Sequence, residues 1–196
     1  KIAMGKHKVI PGSGVNLEQF VPLEYPSPDN IEFIFISRIM KEKGIEQYIS
    51  AAKYIRERYS NTRFHILGFC EEDYEDRLSI LETENIILYH GMQRDITPFL
   101  KKVHCTIHPT YYPEGMSNVL LESAACARPI ITTNRSGCRE IVDEGRNGYL
   151  VEPKNSEDLI KKIEIFINLS YKEKKEMGSA GRIKVEQKFD RQIVVK

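Results

Sequence analysis

Apolar residues recur along the chain in runs of strand length: Lys8-Val9-Ile10, Phe33-Ile34-Phe35-Ile36, Phe64-His65-Ile66-Leu67, Ile86-Ile87-Leu88-Tyr89, Val103 to Ile107, Ile130-Ile131-Thr132 and Tyr149-Leu150-Val151. Several are nearly continuous rather than alternating, as parallel strands covered on both faces should be. Between them, apolar positions return at helical spacing. The clearest case puts Ile45, Ile49, Ala52, Ile55 and Tyr59 on one face, with Glu46, Lys53, Arg56 and Glu57 on others. Strong helical patterns also cover Ser117 to Ala127 and Ser156 to Leu169, and weaker ones Tyr74 to Glu82 and Ile96 to Lys101. Strand followed by helix, repeated, predicts an α/β domain built on a parallel sheet with right-handed crossovers. The last stretch, Tyr171 to Phe189, reads as a charged helix weakened by Gly178 and Gly181, with Lys172, Lys174 and Lys175 on a solvated face.

At 196 residues and 41% hydrophobic content, the chain can bury one generous core, and 1–196 is read as a single domain. Lys and Arg total 29 against 28 acidic residues, a formal net charge of +1. No global field therefore favours nucleic acid or an anionic membrane, and any phosphate affinity must be local. The four cysteines, Cys70, Cys105, Cys126 and Cys138, form no closely spaced framework, which favours a reducing compartment. No apolar run reaches the roughly 20 residues that cross a bilayer, and no secretory signal opens the chain. Neither end carries the signals of a natural terminus, so the chain reads as a piece of something longer.

In a parallel α/β sheet, ligands bind beyond the carboxyl ends of the strands, where loops meet helix N-termini. Three places stand out. Ser37-Arg38 follows the strand at 33–36, and Lys43-Gly44 precedes the helix beginning near Ile45, so two cations flank one turn whose helix amides already favour an anion. Taken alone, the two read more simply as ordinary surface cations. The segment 109–122 then ends a strand, bends at Pro113 and Gly115, and starts a helix near Ser117, with the amides of Ser117, Asn118 and Val119 expected to face outward. Glu114 and Glu122 bracket that turn. Such a pair suits either acid/base hydrolysis of a sugar or the acceptance of hydrogen bonds from ligand hydroxyls, while Glu122 equally suits a favourable interaction with the helix dipole and Glu114 a solvent-facing loop acid. Finally, Gly68 and Gly91 leave two strands where they permit close approach of a flat ring, with His90 and Met92 beside them.

Other nucleotide motifs fail. Gly12-Ser13-Gly14 has Leu17 where a third glycine would complete a dinucleotide fingerprint, and Gly5-Lys6 lacks the upstream glycine of a P-loop. His104, Cys105 and His108 resemble a metal cluster, but alternation along a strand turns Cys105 away from the two histidines.

Taken in order and spacing, five segments resemble the retaining group 1 (GT4-type) glycosyltransferases of the GT-B fold. They are Val9-Ile10-Pro11-Gly12-Ser13-Gly14-Val15-Asn16-Leu17 with Phe20, Ser37-Arg38 to Lys43-Gly44, Glu114 to Glu122, Gly137-Cys138-Arg139-Glu140-Ile141-Val142, and Asn147-Gly148-Tyr149-Leu150-Val151. The resemblance implies a Rossmann-like three-layer domain, one half of a GT-B fold, binding a nucleoside-diphosphate sugar. It assigns Arg38 and Lys43 to the diphosphate without a divalent metal or other cofactor, Glu114 to the donor sugar, and Glu122 to the ribose hydroxyls. Amides of Gly115, Met116, Ser117, Asn118, Val119 and Leu120 would reach sugar and phosphates, and the loop from His90 to Met92 would border the base through backbone atoms, with Gly68 as a further binding residue.

Asn16 stands where Asp is commoner and Ser37 where Gly is common. The full protein is then expected to move a sugar, from UDP rather than GDP on family frequency, to a glycan or lipid-linked acceptor held by a missing N-terminal domain. The C-terminal helix 171–196 would pack back toward that domain. A cytoplasmic place at the inner membrane face, with peripheral association of the full protein and no activity of this piece alone, completes the expectation. A GT-B-type epimerase or phosphorylase and a non-catalytic nucleotide-sugar binding module are the alternatives.

Overall fold

Six parallel strands lie in the order β3-β2-β1-β4-β5-β6. They are β1 (Ile31–Ile36), β2 (Thr62–Leu67), β3 (Leu88–Tyr89), β4 (Cys105–His108), β5 (Ile130–Thr133) and β6 (Gly148–Val151). The structure, a computed structural model, describes residues 12, 14–113 and 115–194; the strand expected at Lys8-Val9-Ile10 lies outside them. Parallel neighbours need crossovers, and these are helical: α1 (Ile45–Arg58), α2 (Glu75–Thr83), α3 (Thr97–Leu100), α4 (Asn118–Ala125) and, after β6, α5 (Ser156–Asn168), α6 (Tyr171–Lys188) and α7 (Arg191–Val194).

The continuous apolar run of β1 serves two cores. Phe33 and Phe35 face a layer with Tyr48, Ile49 and Ile55 of α1 and Phe166 of α5. Ile34 and Ile36 face the opposite layer with Leu120 and Leu121 of α4 and Val185 of α6. Alternation of side chains along a strand, with a helix layer on each face, is the physical reason the run has no polar phase. β3 is shorter than the run Ile86 to Tyr89 because it is an edge strand that pairs only with β2, through Leu88 and Tyr89. β4 is displaced by two residues from the expected start at Val103.

The C-terminal helix differs from expectation in two ways. It is unbroken from Tyr171 to Lys188, because Gly178 lets it press against the end of α4: a Cβ there would lie 2.2 Å from the Ala127 carbonyl oxygen. Its start is fixed by a capping box in which the Ser170 hydroxyl accepts from the Glu173 amide and the Glu173 carboxylate from the Ser170 amide. Lys174, expected on the solvated face, is only 5% exposed. Its ammonium donates to the Ile167 and Leu169 carbonyls, the unsatisfied acceptors at the end of α5. Burial draws its pKa down.

Among the largest fully buried side chains is Arg128, whose guanidinium donates to the Leu100 and Glu24 carbonyls at 2.6 Å each and ties the chain before β1 to the end of α3. Among the described residues, no helix is long and apolar enough to cross a membrane.

Candidate functional site

The strand order reverses between β1 and β4, and at such a switch point the loops leaving the two strands diverge and open a crevice beyond their carboxyl ends. Beyond β1, the ladder with β2 continues past a kink: the Ile39 amide donates to the Phe69 carbonyl at 2.8 Å and the Glu71 amide to the Ile39 carbonyl at 3.1 Å. This brings the Glu71 carboxylate to 2.6 Å from the Arg38 guanidinium. The chain then makes a 3₁₀ turn, Lys41–Lys43, closed by Gly44 in the left-handed region at φ 82°.

Gly44 has a second reason to be glycine, since a Cβ would lie 2.2 Å from the Pro109 carbonyl oxygen. That close approach lets the Glu42 carbonyl accept from the Tyr111 and Tyr112 amides, both at 2.9 Å, stitching the turn to the loop that follows β4. The Tyr112 ring consequently lies against both cations. The Lys43 ammonium is 4.4 Å, and the Arg38 guanidinium carbon 5.5 Å, from its centroid. Arg38 and Lys43 thus occupy the same rim as the start of α4. Lys43 is 6% exposed, so its charge is held rather than free in solvent.

At α4 the geometry departs from expectation in one respect. The Ser117 amide does not face outward; it donates to the Gly137 carbonyl at 2.9 Å, and the Ser117 side chain makes no cap. The loop 137–140 therefore braces the helix start, with the Glu140 carboxylate accepting from the Gly137 amide at 2.8 Å. The first bond inside α4 runs from the Leu121 amide to the Ser117 carbonyl, so the amides of Asn118, Val119 and Leu120 have no acceptor within the helix. Gly115 is exposed and Met116 half-buried; Glu114 lies outside the described residues.

One turn into α4, the Glu122 carboxyl is half-buried beside a cavity of about 220 Å³, also lined by Gly14, Asn16, Arg94, Asn118 and Arg191. Burial raises its pKa from the usual 4.5 to about 7, against an opposing pull from Arg191. Asn16 uses its side-chain oxygen to accept from the Glu18 amide at 3.1 Å, as an aspartate could.

Gly68 and the His90 side chain both make contacts within the fold. A Cβ on Gly68 would lie 1.8 Å from the Ser37 carbonyl oxygen, and its amide donates to the Gly91 carbonyl at 2.9 Å. Its role is to let three strand ends meet. His90 turns inward and stacks on His65, with ring centroids 5.2 Å apart. A chain of contacts runs from His90 Nε2 to His65 Nδ1 and from His65 Nε2 to Glu32 Oε2, each 2.9 Å. Met92 is 69% exposed at the same rim. His104 is occupied by backbone, its Nδ1 accepting from the Glu32 amide at 3.1 Å and its Nε2 lying 3.0 Å from the Ser27 carbonyl.

Burial and the neighbouring His65 hold the His90 pKa below its ordinary 6.5. The folded chain thus favours the neutral ring, and the stability this represents is full above that ordinary value and is lost as pH falls through it toward the folded value. His90→Phe keeps a ring against His65 and Phe99 but excludes no proton. Melting temperatures measured from about pH 5 to about pH 8 should show a shallower acid limb for the variant than for the parent chain. Identical acid limbs would remove His90 from the account.

Sequence reading did not single out Tyr112, Glu71, Arg94 or Arg191. Tyr112 alone left a trace, an aromatic residue within the loop that starts α4.

A family model described as Glycosyl transferases group 1 matches residues 22–184. The capsular polysaccharide biosynthesis glycosyltransferase CapM of Staphylococcus aureus is 32% identical over 170 residues, covering 85% of this chain and 44% of that protein. The chain spans about half the length of the curated relatives it matches, 44% and 47% for the first two. In fold it is similar to the C-terminal domain of a group 1 family glycosyltransferase, LpcC, from Francisella tularensis, with TM-score 0.76, 24% identity and coverage of 90% of this chain and 99% of that one. It is also similar to HepE of Anabaena in complex with UDP-glucose, with TM-score 0.80 and 23% identity over 95% of this chain and 54% of that one. The six-stranded parallel sheet matches one half of such GT-B enzymes. With the family model spanning most of its residues, the chain belongs to the group 1 glycosyltransferases.

Proposed function

We propose that this chain is the donor-binding domain of a retaining glycosyltransferase that takes a sugar from a UDP-sugar. The observation that carries the reading is the convergence of Arg38 and Lys43 on one rim with the N-terminal end of α4. A diphosphate placed there meets two cations and helix amides together, which favours negative charge as it develops on the leaving group. The cations take the part a divalent ion would otherwise play, so the reading calls for no metal. Glu114 is assigned to the donor sugar, Glu122 to the ribose hydroxyls, and the loop at Met92 to the edge of the base. UDP is favoured because HepE, of the same fold, was crystallised with UDP-glucose.

Retention without an enzymic nucleophile is accounted for by attack on the face the phosphate leaves, with the departing oxygen taking the acceptor's proton. The acceptor, a glycan or lipid-linked sugar in bacterial surface polysaccharide synthesis, would be held by an N-terminal domain of the full protein, with the segment after α6 directed toward it. That places the work at the cytoplasmic face of the membrane.

The test is calorimetric titration of the chain with UDP-glucose, whose phosphates have no titration near neutrality. If ribose hydroxyls donate to Glu122, the ionised carboxylate, an acceptor at both oxygens, holds them better than the protonated form. A pKa of about 7 then makes binding about tenfold weaker at about pH 6 than at about pH 8. Glu122→Gln should bind more weakly at the upper pH and show no such slope. Absence of binding for UDP-glucose and GDP alike at millimolar concentration would sink the proposal.

A further inference from the structure

We infer that Tyr112 is a further positioning residue of the diphosphate site, its ring gathering Arg38 and Lys43 into one anion-binding pair. The inference rests on the reading of this rim as the place of a diphosphate. A lysine ammonium is a compact charge on a flexible stem, and an arginine is effective toward phosphate only when its planar fork is aimed. Two such side chains, five residues apart across a turn, need something between them to hold their separation.

Tyr112 meets that need by construction. Its amide donates to the Glu42 carbonyl at 2.9 Å and lies 3.2 Å from the Thr110 hydroxyl, so the ring is pinned to the residue that precedes Lys43. Lys43 and Arg38 then contact the ring at 4.4 and 5.5 Å from its centroid, within the range of cation–π attraction. Arg38 is held from its other side by Glu71 at 2.6 Å. A ring quadrupole attracts cations without bringing a formal negative charge, so it fixes both groups while leaving them able to draw an anion. Tyr112 is 37% exposed, at the mouth of the crevice rather than in the core. A carboxylate or an aliphatic residue at this position would not do the same: the first would compete with the diphosphate and the second would hold neither cation.

The experiment titrates the parent chain, Tyr112→Phe and Tyr112→Leu with inorganic pyrophosphate and with UDP. Phenylalanine keeps the π face, and leucine removes it while leaving an apolar side chain. Binding of both probes should weaken by roughly tenfold in Tyr112→Leu and stay within about twofold in Tyr112→Phe, the scale of one partly desolvated cation–π contact. Equal affinities for the parent and the leucine variant would overturn the inference while leaving the assignment of the rim intact. Pyrophosphate binding that depends on the ring, without any binding of UDP, would support the inference and defeat the nucleotide reading. Binding of neither probe would defeat both.

If Tyr112→Leu does not fold, proton NMR of the parent chain decides. The Lys43 ε-methylene should be shifted upfield by the ring current, equally so in Tyr112→Phe. An unshifted Lys43 resonance would overturn the proposal.

Discussion

Lys43→Ala is expected to weaken UDP binding to this chain by about 30- to 100-fold, the weight of a charge-assisted contact to phosphate made in a partly desolvated place. In an intact enzyme carrying this domain, turnover should fall by about two to three orders of magnitude, because charge on the leaving diphosphate peaks in the transition state. Lys43 is suited to the role by where the backbone puts it. It is the last residue of the 3₁₀ turn, is 6% exposed, and stands 4.4 Å from the centre of the Tyr112 ring. Lys43→Arg should recover only part of the loss, since a guanidinium fork cannot reproduce a compact charge at the same point. Calorimetry on the chain and initial rates on the enzyme provide the two measurements. Near-parental values in both would contradict the diphosphate role.

The second large effect concerns a residue with no side chain. Gly44→Ala is expected to lower unfolding free energy by roughly 3 kcal/mol or more. Two costs combine. Alanine is disfavoured at φ 82°, and its Cβ would lie 2.2 Å from the Pro109 carbonyl oxygen and 2.6 Å from the carbonyl carbon. Both obstacles are backbone, so the turn itself must move away from the loop after β4. That motion breaks the bonds from the Tyr111 and Tyr112 amides to Glu42, and UDP affinity should fall together with stability.

Gly145→Ala is the control. Gly145 also has a positive φ, 74°, but open space where a Cβ would go, and it lies outside the crevice. It should cost about 1 kcal/mol and leave UDP binding alone. Urea unfolding of the two variants separates strain from steric displacement. Equal costs would show that the contact with Pro109 yields easily.

Much of the fold was legible in periodicity. The run Phe33 to Ile36 announced a strand with two covered faces, and Ile45, Ile49, Ala52 and Ile55 announced the buried stripe of α1. That Arg38, Lys43 and the start of α4 lie beyond the carboxyl ends of strands followed from the order of strand and helix. Other features were beyond reach. Lys174 sits among Lys172 and Lys175 in a charged helix, and only the packing of α6 against the end of α5 selects it for burial. The side-chain partner of His90, His65, is 25 positions away and could not be read from the local pattern. The amide of Ser117 looked open because the segment that covers it, at Gly137, is distant in sequence.

By itself the amino-acid order determined the alternation of strands and helices, the two-sided burial of the sheet, and the residue types collected at its carboxyl rim. Those follow from repeats of two and 3.6 residues, which depend on the backbone alone. The tertiary structure decided which neighbours each rim residue acquires: Tyr112 and Glu71 for the two cations, the cavity around Glu122, and the inward chain from His90 to Glu32. These depend on how separate loops pack where strands β1 and β4 diverge, and contacts between residues far apart in the chain leave no periodic signal along it.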